Sequence, residues 1–116
     1  DGEHDVSHME AKALGFFARH PGATQSDLVQ HSGRDKGQMA RLVGGLRERG
    51  LLDAVADESD RRSLRLSVSP AAREIQQALG QQARRLSAQA VKGLSADERA
   101  QLLQMLARVR ANLEQD

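Results

Sequence analysis

The side chains in this sequence that are best suited to chemistry are arginines, and they are concentrated in two short segments. Residues 34–49 carry five basic residues against two acidic ones, although the whole chain of 116 residues has a net charge of only +1. The second segment is the pair Arg61-Arg62. Guanidinium groups bind phosphates and the edges of guanine bases. On charge alone a solvated surface is the commoner explanation, so the elements that carry these arginines must decide between the two.

Other kinds of chemistry have little support in the sequence. It contains no cysteine, which excludes disulfides, thiolate metal sites and redox-active thiols. It contains no G-x-S-x-G nucleophile motif and no P-loop, so we expect no enzymatic activity and no cofactor. The lack of a long apolar run and of a signal-like segment predicts a soluble, cytoplasmic protein with no membrane partner.

Histidines offer one alternative, a metal-sensing site. His4 and His8 are four residues apart, which would place two imidazoles on one face of a helix. His20 and His31 are distant from that pair in the sequence. We therefore interpret the histidines as surface residues and predict no metal site.

The first half of the chain is predicted to form three short helices with an aliphatic core, because its apolar residues repeat at helical spacing. A third-helix glycine pair, Gly44-Gly45, is interpreted as allowing close packing at some cost in helix propensity. The first helix is predicted to begin at a capping box, Ser7–Glu10, and to end before Pro21-Gly22. The second helix is predicted between Thr24 and Ser32-Gly33, and the third from residues 34–36 to Gly50.

The second half changes period twice. Leu64, Leu66 and Val68 alternate with polar residues, which predicts a strand with these three side chains on its buried face. It would pair with the apolar stretch from Leu51 to form a β-hairpin at about residues 51–68. Ser69-Pro70 then starts a helix. Two long helices with apolar seams follow, separated near Gly93 and a second capping box at Ser95–Glu98. The apolar seams consist of Ile75, Leu79, Ala83, Leu86 and Ala90, and of Leu102, Leu103, Leu106, Val109 and Leu113.

This order predicts a mainly α fold with a small β-hairpin wing, a winged helix-turn-helix followed by two long C-terminal helices. We expect residues 1–69 to form a DNA-binding head and residues 70–116 to form a helical dimerisation region. In such a head, one helix enters the major groove and the hairpin reaches the adjacent backbone or minor groove.

The helix-turn-helix and wing resemble those of the MarR family of transcriptional regulators. The stretches carrying the resemblance are PGATQSDL at residues 21–28, DKGQMARLV at residues 35–43 and LRERGLL at residues 46–52. The most specific is the wing sequence DESDRRS at residues 57–63, in which an aspartate, two arginines and a small residue precede a strand and a Ser-Pro helix start.

The resemblance implies roles for individual side chains. Arg62 occupies the position of the wing arginine that enters the minor groove, and Asp60 that of the carboxylate that orients it. Arg61 is then a phosphate or structural contact. The candidate major-groove residues are Lys36, Gln38, Ala40 and Arg41, of which Gln38 suits adenine and Arg41 suits guanine or phosphate. The candidate phosphate contacts at the start of the second helix are Thr24, Gln25 and Ser26.

The long C-terminal seams predict a homodimer, because so small a head cannot cover them. A two-fold dimer would set two recognition helices roughly 34 Å apart on a pseudo-palindromic operator. The alternative is a monomer in which the two helices pack only on each other.

Family members usually begin with a further helix, and here only a few polar residues precede Ser7. The sequence is therefore either shortened at its N-terminus or lacks that helix, which affects the expected dimer and effector pocket.

The resemblance also implies a ligand-responsive repressor, whose small aromatic or anionic effector binds between head and dimer helices. No residue identifies that effector. The alternative function is a winged-helix protein–protein interaction module without DNA binding, although the two arginines at the wing tip argue against it. Binding of single strands or RNA is disfavoured because only two residues are aromatic.

Overall fold

The computed structural model describes residues 5–114, and its elements follow the predicted order. The predicted fold class, mainly α with a β-hairpin wing and two long C-terminal helices, is confirmed. The elements are α1 (His8–Arg19), α2 (Gln25–Ser32), α3 (Lys36–Glu48), β1 (Leu52–Ala56), β2 (Leu64–Val68), α4 (Pro70–Ala90) and α5 (Ala96–Glu114).

Reciprocal side-chain caps determine where the helices begin. The Ser7 amide donates to Glu10 Oε1 over 2.8 Å, and the Glu10 amide donates to Ser7 Oγ over 3.1 Å. The same exchange occurs in two further pairs, Thr24 with Asp27 and Ser95 with Glu98. Each box satisfies two amides that a helix leaves unpaired, so these starts are set locally, and the predicted starts are confirmed.

The ends of α2 and α3 depend on glycine. Gly33 and Gly50 have φ values of +67° and +73°, in the left-handed region that side chains with a Cβ rarely adopt. Beyond Gly50 the hairpin returns the chain to the same place, where Ser69 Oγ donates to the Gly50 carbonyl over 2.6 Å and accepts from the Ala72 amide over 3.1 Å. Ser69 therefore joins the end of α3 to the start of α4.

The wing is an antiparallel hairpin in which Leu52 pairs with Val68 and Ala56 with Leu64. Leu66 and Val68 are buried, as the alternation predicted, but Leu64 is 36% exposed. The prediction for Leu64 was wrong because it pairs at the open end of the hairpin, next to the charged loop. An isolated bridge between Ala23 and Leu66 also joins the turn before α2 to β2, which places the start of α2 beside the wing.

One hydrophobic core holds α1, α2, α3, the hairpin and the first turns of α4 together. Ala72 and Ile75 of α4 belong to it, and the compact unit that contains the core extends to Leu79. The structural division therefore falls inside α4, ten residues beyond the residue 69 expected from the sequence. The core side chains are Ala13, Leu14, Phe16, Phe17, Leu28, Met39, Val43, Leu46, Leu51, Leu52, Leu66, Val68, Ala72 and Ile75.

The second unit begins at Gly80 and contains the rest of α4 and all of α5. Most of its large apolar side chains are exposed in the single chain, and none of the described residues of α5 is buried. The exposed fractions are 59% for Leu86, 67% for Leu103, 57% for Met105, 54% for Leu106, 54% for Val109 and 78% for Leu113. Within the described residues no helix is both long and apolar enough to cross a membrane.

The glycine pair in α3 does not serve close packing. A Cβ added at Gly44 or Gly45 meets nothing within 4 Å among the described residues, so the interpretation made from the sequence was wrong. Since no contact requires it, glycine at these positions costs helix propensity without a packing gain inside the head.

Gly45→Ala is therefore expected to raise the free energy of unfolding by about 0.5–1 kcal/mol, as measured by urea denaturation. Gly50→Ala is the matched control with the opposite sign, because a Cβ at a φ of +73° is strained by roughly 1–2 kcal/mol. Destabilisation by Gly45→Ala would contradict the open environment of that position.

Candidate DNA-binding surface

The wing loop is closed by a network centred on Asp57, a residue that the sequence did not single out. Asp57 Oδ1 accepts from the amide and the hydroxyl of Ser59 over 3.0 and 2.8 Å. Its other oxygen lies 3.3 Å from Arg65 Nη2, and Arg65 Nη1 donates to the Gly22 carbonyl over 3.0 Å. Asp57 and Arg65 thus connect the wing loop to the turn that precedes α2.

Hydrogen bonds from the Ser59 amide and hydroxyl hold the pKa of Asp57 below its ordinary value of 3.8, and the positive charge of Arg65 lowers it by a smaller amount. A carboxylate whose pKa is lower in the folded state stabilises the fold while it is ionised. That contribution is complete above the unfolded pKa and is lost as the pH falls through the folded pKa.

Asp57→Asn is accordingly expected to lower the melting temperature at neutral pH, and the difference from wild type should shrink as the pH falls below 3.8. Thermal unfolding across a pH series measures both effects. Asp53→Asn, at an exposed position of β1, is the control and should leave the melting temperature at neutral pH unchanged. A difference for Asp57→Asn that persists undiminished in acid would contradict the role of its ionised form.

Asp60 contacts Arg62 differently from the predicted arrangement. Its Oδ1 accepts from the Arg62 backbone amide over 3.0 Å, and its Oδ2 accepts from Ser63 Oγ over 3.3 Å. The ion pairs within residues 5–114 do not include one between the Asp60 carboxylate and the Arg62 guanidinium. Asp60 therefore fixes the backbone from which Arg62 projects, and the arginine side chain stays exposed.

A cleft of about 200 Å³ joins the wing to the helix-turn-helix. The bridge between Ala23 and Leu66 brings its walls together. The cleft is lined by two arginines and by the first residues of α2, and the N-terminus of a helix favours anions. Its lining comprises Thr24, Gln25, Ser26, Val43, Arg47, Arg62, Ser63, Leu64 and Leu66.

Two of the predicted groups therefore meet in this cleft, and one further residue joins them. Thr24, Gln25 and Ser26 lie beside Arg62. The Thr24 hydroxyl accepts from the Asp27 amide, which leaves its proton available to a phosphate. Arg47 also lines the cleft, and the sequence had placed it only within the basic segment. Its spacing of four residues from buried Val43 was the available signal, because such residues share a helix face.

The α3 candidates divide into exposed and half-buried residues. Lys36, Ala40 and Arg41 are exposed. Gln38 is half-buried, and its Nε2 donates to Met9 Sδ on α1 over 3.6 Å. Gln38 thus lies on the side of α3 that faces α1, and Lys36 and Ala40 lie on the opposite side.

Arg49, another residue of the basic segment, is occupied within the head. Its Nη1 lies 3.2 Å from Glu10 Oε2, and its Nη2 donates to the Asp5 carbonyl. Since Glu10 also caps α1, Arg49 connects the end of α3 to the start of α1. Its guanidinium is therefore a structural group rather than a free cation.

The histidines provide no metal site in the part of the chain that the structure describes. Across residues 5–114, no group of three or more histidine, aspartate or glutamate side chains could hold a metal ion. His4, one of the pair considered from the sequence, lies outside the described residues. His20 and His31 instead lie against the ring of Phe16, each with a centroid distance of 4.9 Å.

A groove of about 560 Å³ runs between α1 and α2 and extends to the start of α3. Its floor is apolar and contains the buried side chains of Phe16, Leu28 and Met39. Among the described residues its lining carries basic side chains and no carboxylate, so it is complementary to an anion with an apolar body. The basic and imidazole-bearing residues are His8, Lys12, Arg19, His31 and Arg34.

Comparisons with known proteins agree with this architecture. The sequence model of the MarR family matches residues 4–63. The crystal structure of MarR superposes with a TM-score of 0.76 at 25% identity, covering 97% of this chain and 76% of MarR. Streptococcus pneumoniae FabT in complex with DNA gives 0.78 at 22% identity, with coverages of 95% and 77%. The S. aureus MepR–DNA complex gives 0.78 at 20% identity, with coverages of 97% and 85%. No curated protein matched the chain at the sequence level.

Proposed function

Because this chain belongs to the MarR family, we propose that it is a transcriptional regulator that binds double-stranded DNA sequence-specifically as a homodimer. The observation that carries this proposal is the cleft in which the N-terminus of α2, Arg47 and Arg62 converge. A duplex backbone presents phosphates that both guanidinium groups and helix N-termini bind. The structures of FabT and MepR in complex with DNA, which have a similar fold, support the proposal that this chain binds DNA.

The individual contacts follow from where each side chain lies. We propose that Lys36, Ala40 and Arg41 face the major groove and that Arg62 reaches the minor groove, positioned through its backbone by Asp60. Phosphates would be bound by Arg61, Arg47 and the α2 residues Thr24, Gln25 and Ser26. Gln38 would contribute less than the sequence suggested, because its amide donates to Met9.

The dimer is proposed from the apolar surface of the second unit. Leu106, Val109 and Leu113 share one face of α5 and are each more than half exposed. An exposed seam of this kind is an association site in a protein that is stable in water. Residues 70–116 would thus supply the dimerisation region, with the first turns of α4 anchored in the head by Ala72 and Ile75.

A two-fold dimer would place two recognition helices on a pseudo-palindromic operator, with half-sites roughly 34 Å apart. We propose that the regulator is a repressor, because a dimer bound over a promoter would exclude other proteins. We also propose that an anionic effector weakens the DNA complex. The resemblance implied an effector site between head and dimer helices, whereas the groove that we propose lies within the head, between α1 and α2, and has an apolar floor and a basic lining. A rise in melting temperature with sodium benzoate, a small aromatic anion, would support that site, and no change would count against it.

The function is tested by titrating the protein with its own upstream DNA and with a random duplex of equal length, at salt concentrations from about 50 to 200 mM. We expect tighter binding to the upstream DNA and an affinity that falls steeply with salt, since each neutralised phosphate releases a counterion. Equal binding to both duplexes would contradict a sequence-specific regulator. Failure to bind either duplex would favour the alternative, a winged-helix protein–protein interaction module without DNA binding.

A further inference from the structure

The exposed face of α3 carries few side chains that can read a base. Its outward positions include Gly37, Ala40 and Gly44, which offer no hydrogen-bonding side chain. Two of the remaining polar residues lie near its C-terminal end, where Arg47 lines the cleft beside the wing and Glu48 follows it as the last residue of the helix. The N-terminal half of a recognition helix is the part that contacts base edges. Only Lys36 and Arg41 offer exposed cations there.

The Arg41 guanidinium lies over the N-terminal turn of α3, beside Gly37 and Asp35. A Cβ at Gly37 would lie 3.6 Å from Arg41 Nη1 and 3.2 Å from Asp35 Oδ2. Asp35 is itself occupied as the cap of α3, accepting from the Gln38 amide over 2.9 Å. Within residues 5–114 no hydrogen bond or ion pair engages the Arg41 guanidinium. Its donors therefore remain available at the end of the helix that would enter the groove.

We infer that Arg41 is the specificity-determining residue of α3 and reads a single guanine in each half-site; this rests on the proposed DNA-binding function. Guanine O6 and N7 accept a bidentate pair of hydrogen bonds from a guanidinium. Lys36 has a flexible ammonium that acts as a point charge, which suits a phosphate. Ala40 offers only a methyl group, for contact with a thymine methyl. Discrimination at other positions would then come from the wing and from DNA shape.

The small residues that surround Arg41 support this assignment sterically. With Gly37, Ala40 and Gly44 on the outward face, the helix backbone can approach the base edges closely. A close approach shortens the distance that the Arg41 side chain must span to reach a base. Because the neighbouring residues have no hydrogen-bonding side chain, none of them can substitute for Arg41.

The test is a scan of every base pair in one half-site of the upstream operator, with binding measured for wild type, Arg41→Ala and Lys36→Ala. In wild type we expect one G·C pair whose replacement weakens binding by about tenfold or more. Arg41→Ala should lose that discrimination while keeping its affinity for a random duplex within a few-fold. Lys36→Ala should weaken binding to all sequences equally and keep the guanine preference.

Unchanged guanine preference in Arg41→Ala would overturn the inference and leave the regulator intact. Failure of wild type to prefer the operator over random duplex would overturn the proposed function and the inference together.

Discussion

Replacing Leu106 with glutamate is expected to convert the dimer into a monomer and to weaken binding to a two-half-site operator by about a hundredfold or more. Leu106 is 54% exposed in the single chain and lies at the centre of the α5 stripe that contains Val109 and Leu113. An interface over this stripe would bury the new carboxylate without a partner. A monomer also loses the effective concentration that links the second half-site to the first.

Sedimentation velocity measures the first effect, because one chain has a mass of 12.7 kDa and a dimer twice that. Gln104→Glu is the matched control, since it places the same charge on α5 two residues from Leu106, on the opposite side of the helix. The control should remain dimeric and retain its operator affinity. A dimeric Leu106→Glu variant would exclude the α5 stripe as the interface, and a monomeric wild type would exclude the dimer.

Arg62→Ala is expected to weaken operator binding by about a hundredfold. A hydrogen bond to a charged group contributes about 1.5–3 kcal/mol, so the loss at one wing lowers the affinity at least about tenfold. In a dimer the substitution removes this contact from both wings. Arg62 lies beside the α2 residues that would bind the adjacent backbone, so its removal also reduces the cationic charge of the cleft. The salt dependence of the affinity should therefore become shallower.

Arg61→Ala is the natural comparison, because Arg61 is adjacent in sequence but does not line the cleft. We expect a smaller loss that is the same for all DNA sequences, as for a phosphate contact. Replacing A·T by G·C pairs under the wing should weaken wild type and leave Arg62→Ala almost unaffected, because a narrow A·T minor groove attracts an inserted arginine. Equal losses for both arginines would contradict a distinct role for Arg62.

Much of the fold could be predicted from the sequence because its determinants are local. The capping boxes at Ser7 and Ser95 join residues three positions apart, and Gly33 and Gly50 end their helices through their own backbone angles. Alternating leucines predicted β2, and helical spacing predicted the core faces of α1 and α3. The error at Leu64 arose because alternation specifies a face of the strand but not whether a neighbouring element covers its end.

The candidate site was predicted less completely, since local patterns do not specify which polar side chains are already occupied. Arg62, Lys36 and Arg41 remain exposed, but Asp60 contacts a backbone amide where a guanidinium was expected. Arg47 and Asp57 were missed as individual residues. Their importance depends on what lies opposite them in space.

The sequence by itself determined the order of the elements, where most of them begin and end, and the presence of a basic helix followed by an arginine-tipped wing. The tertiary structure alone decided which of those polar groups are available to a ligand. Gln38 and Met9 are 29 positions apart, Arg49 and Glu10 are 39 apart, and Arg65 and Gly22 are 43 apart. Contacts over such separations form only when the core brings α1, α3 and the wing together. The hydrophobic effect that drives this packing has no direction, so the apolar pattern of the sequence does not specify which elements meet. Helical spacing can therefore identify a buried stripe, whereas the partner of each polar side chain beside that stripe is set by packing.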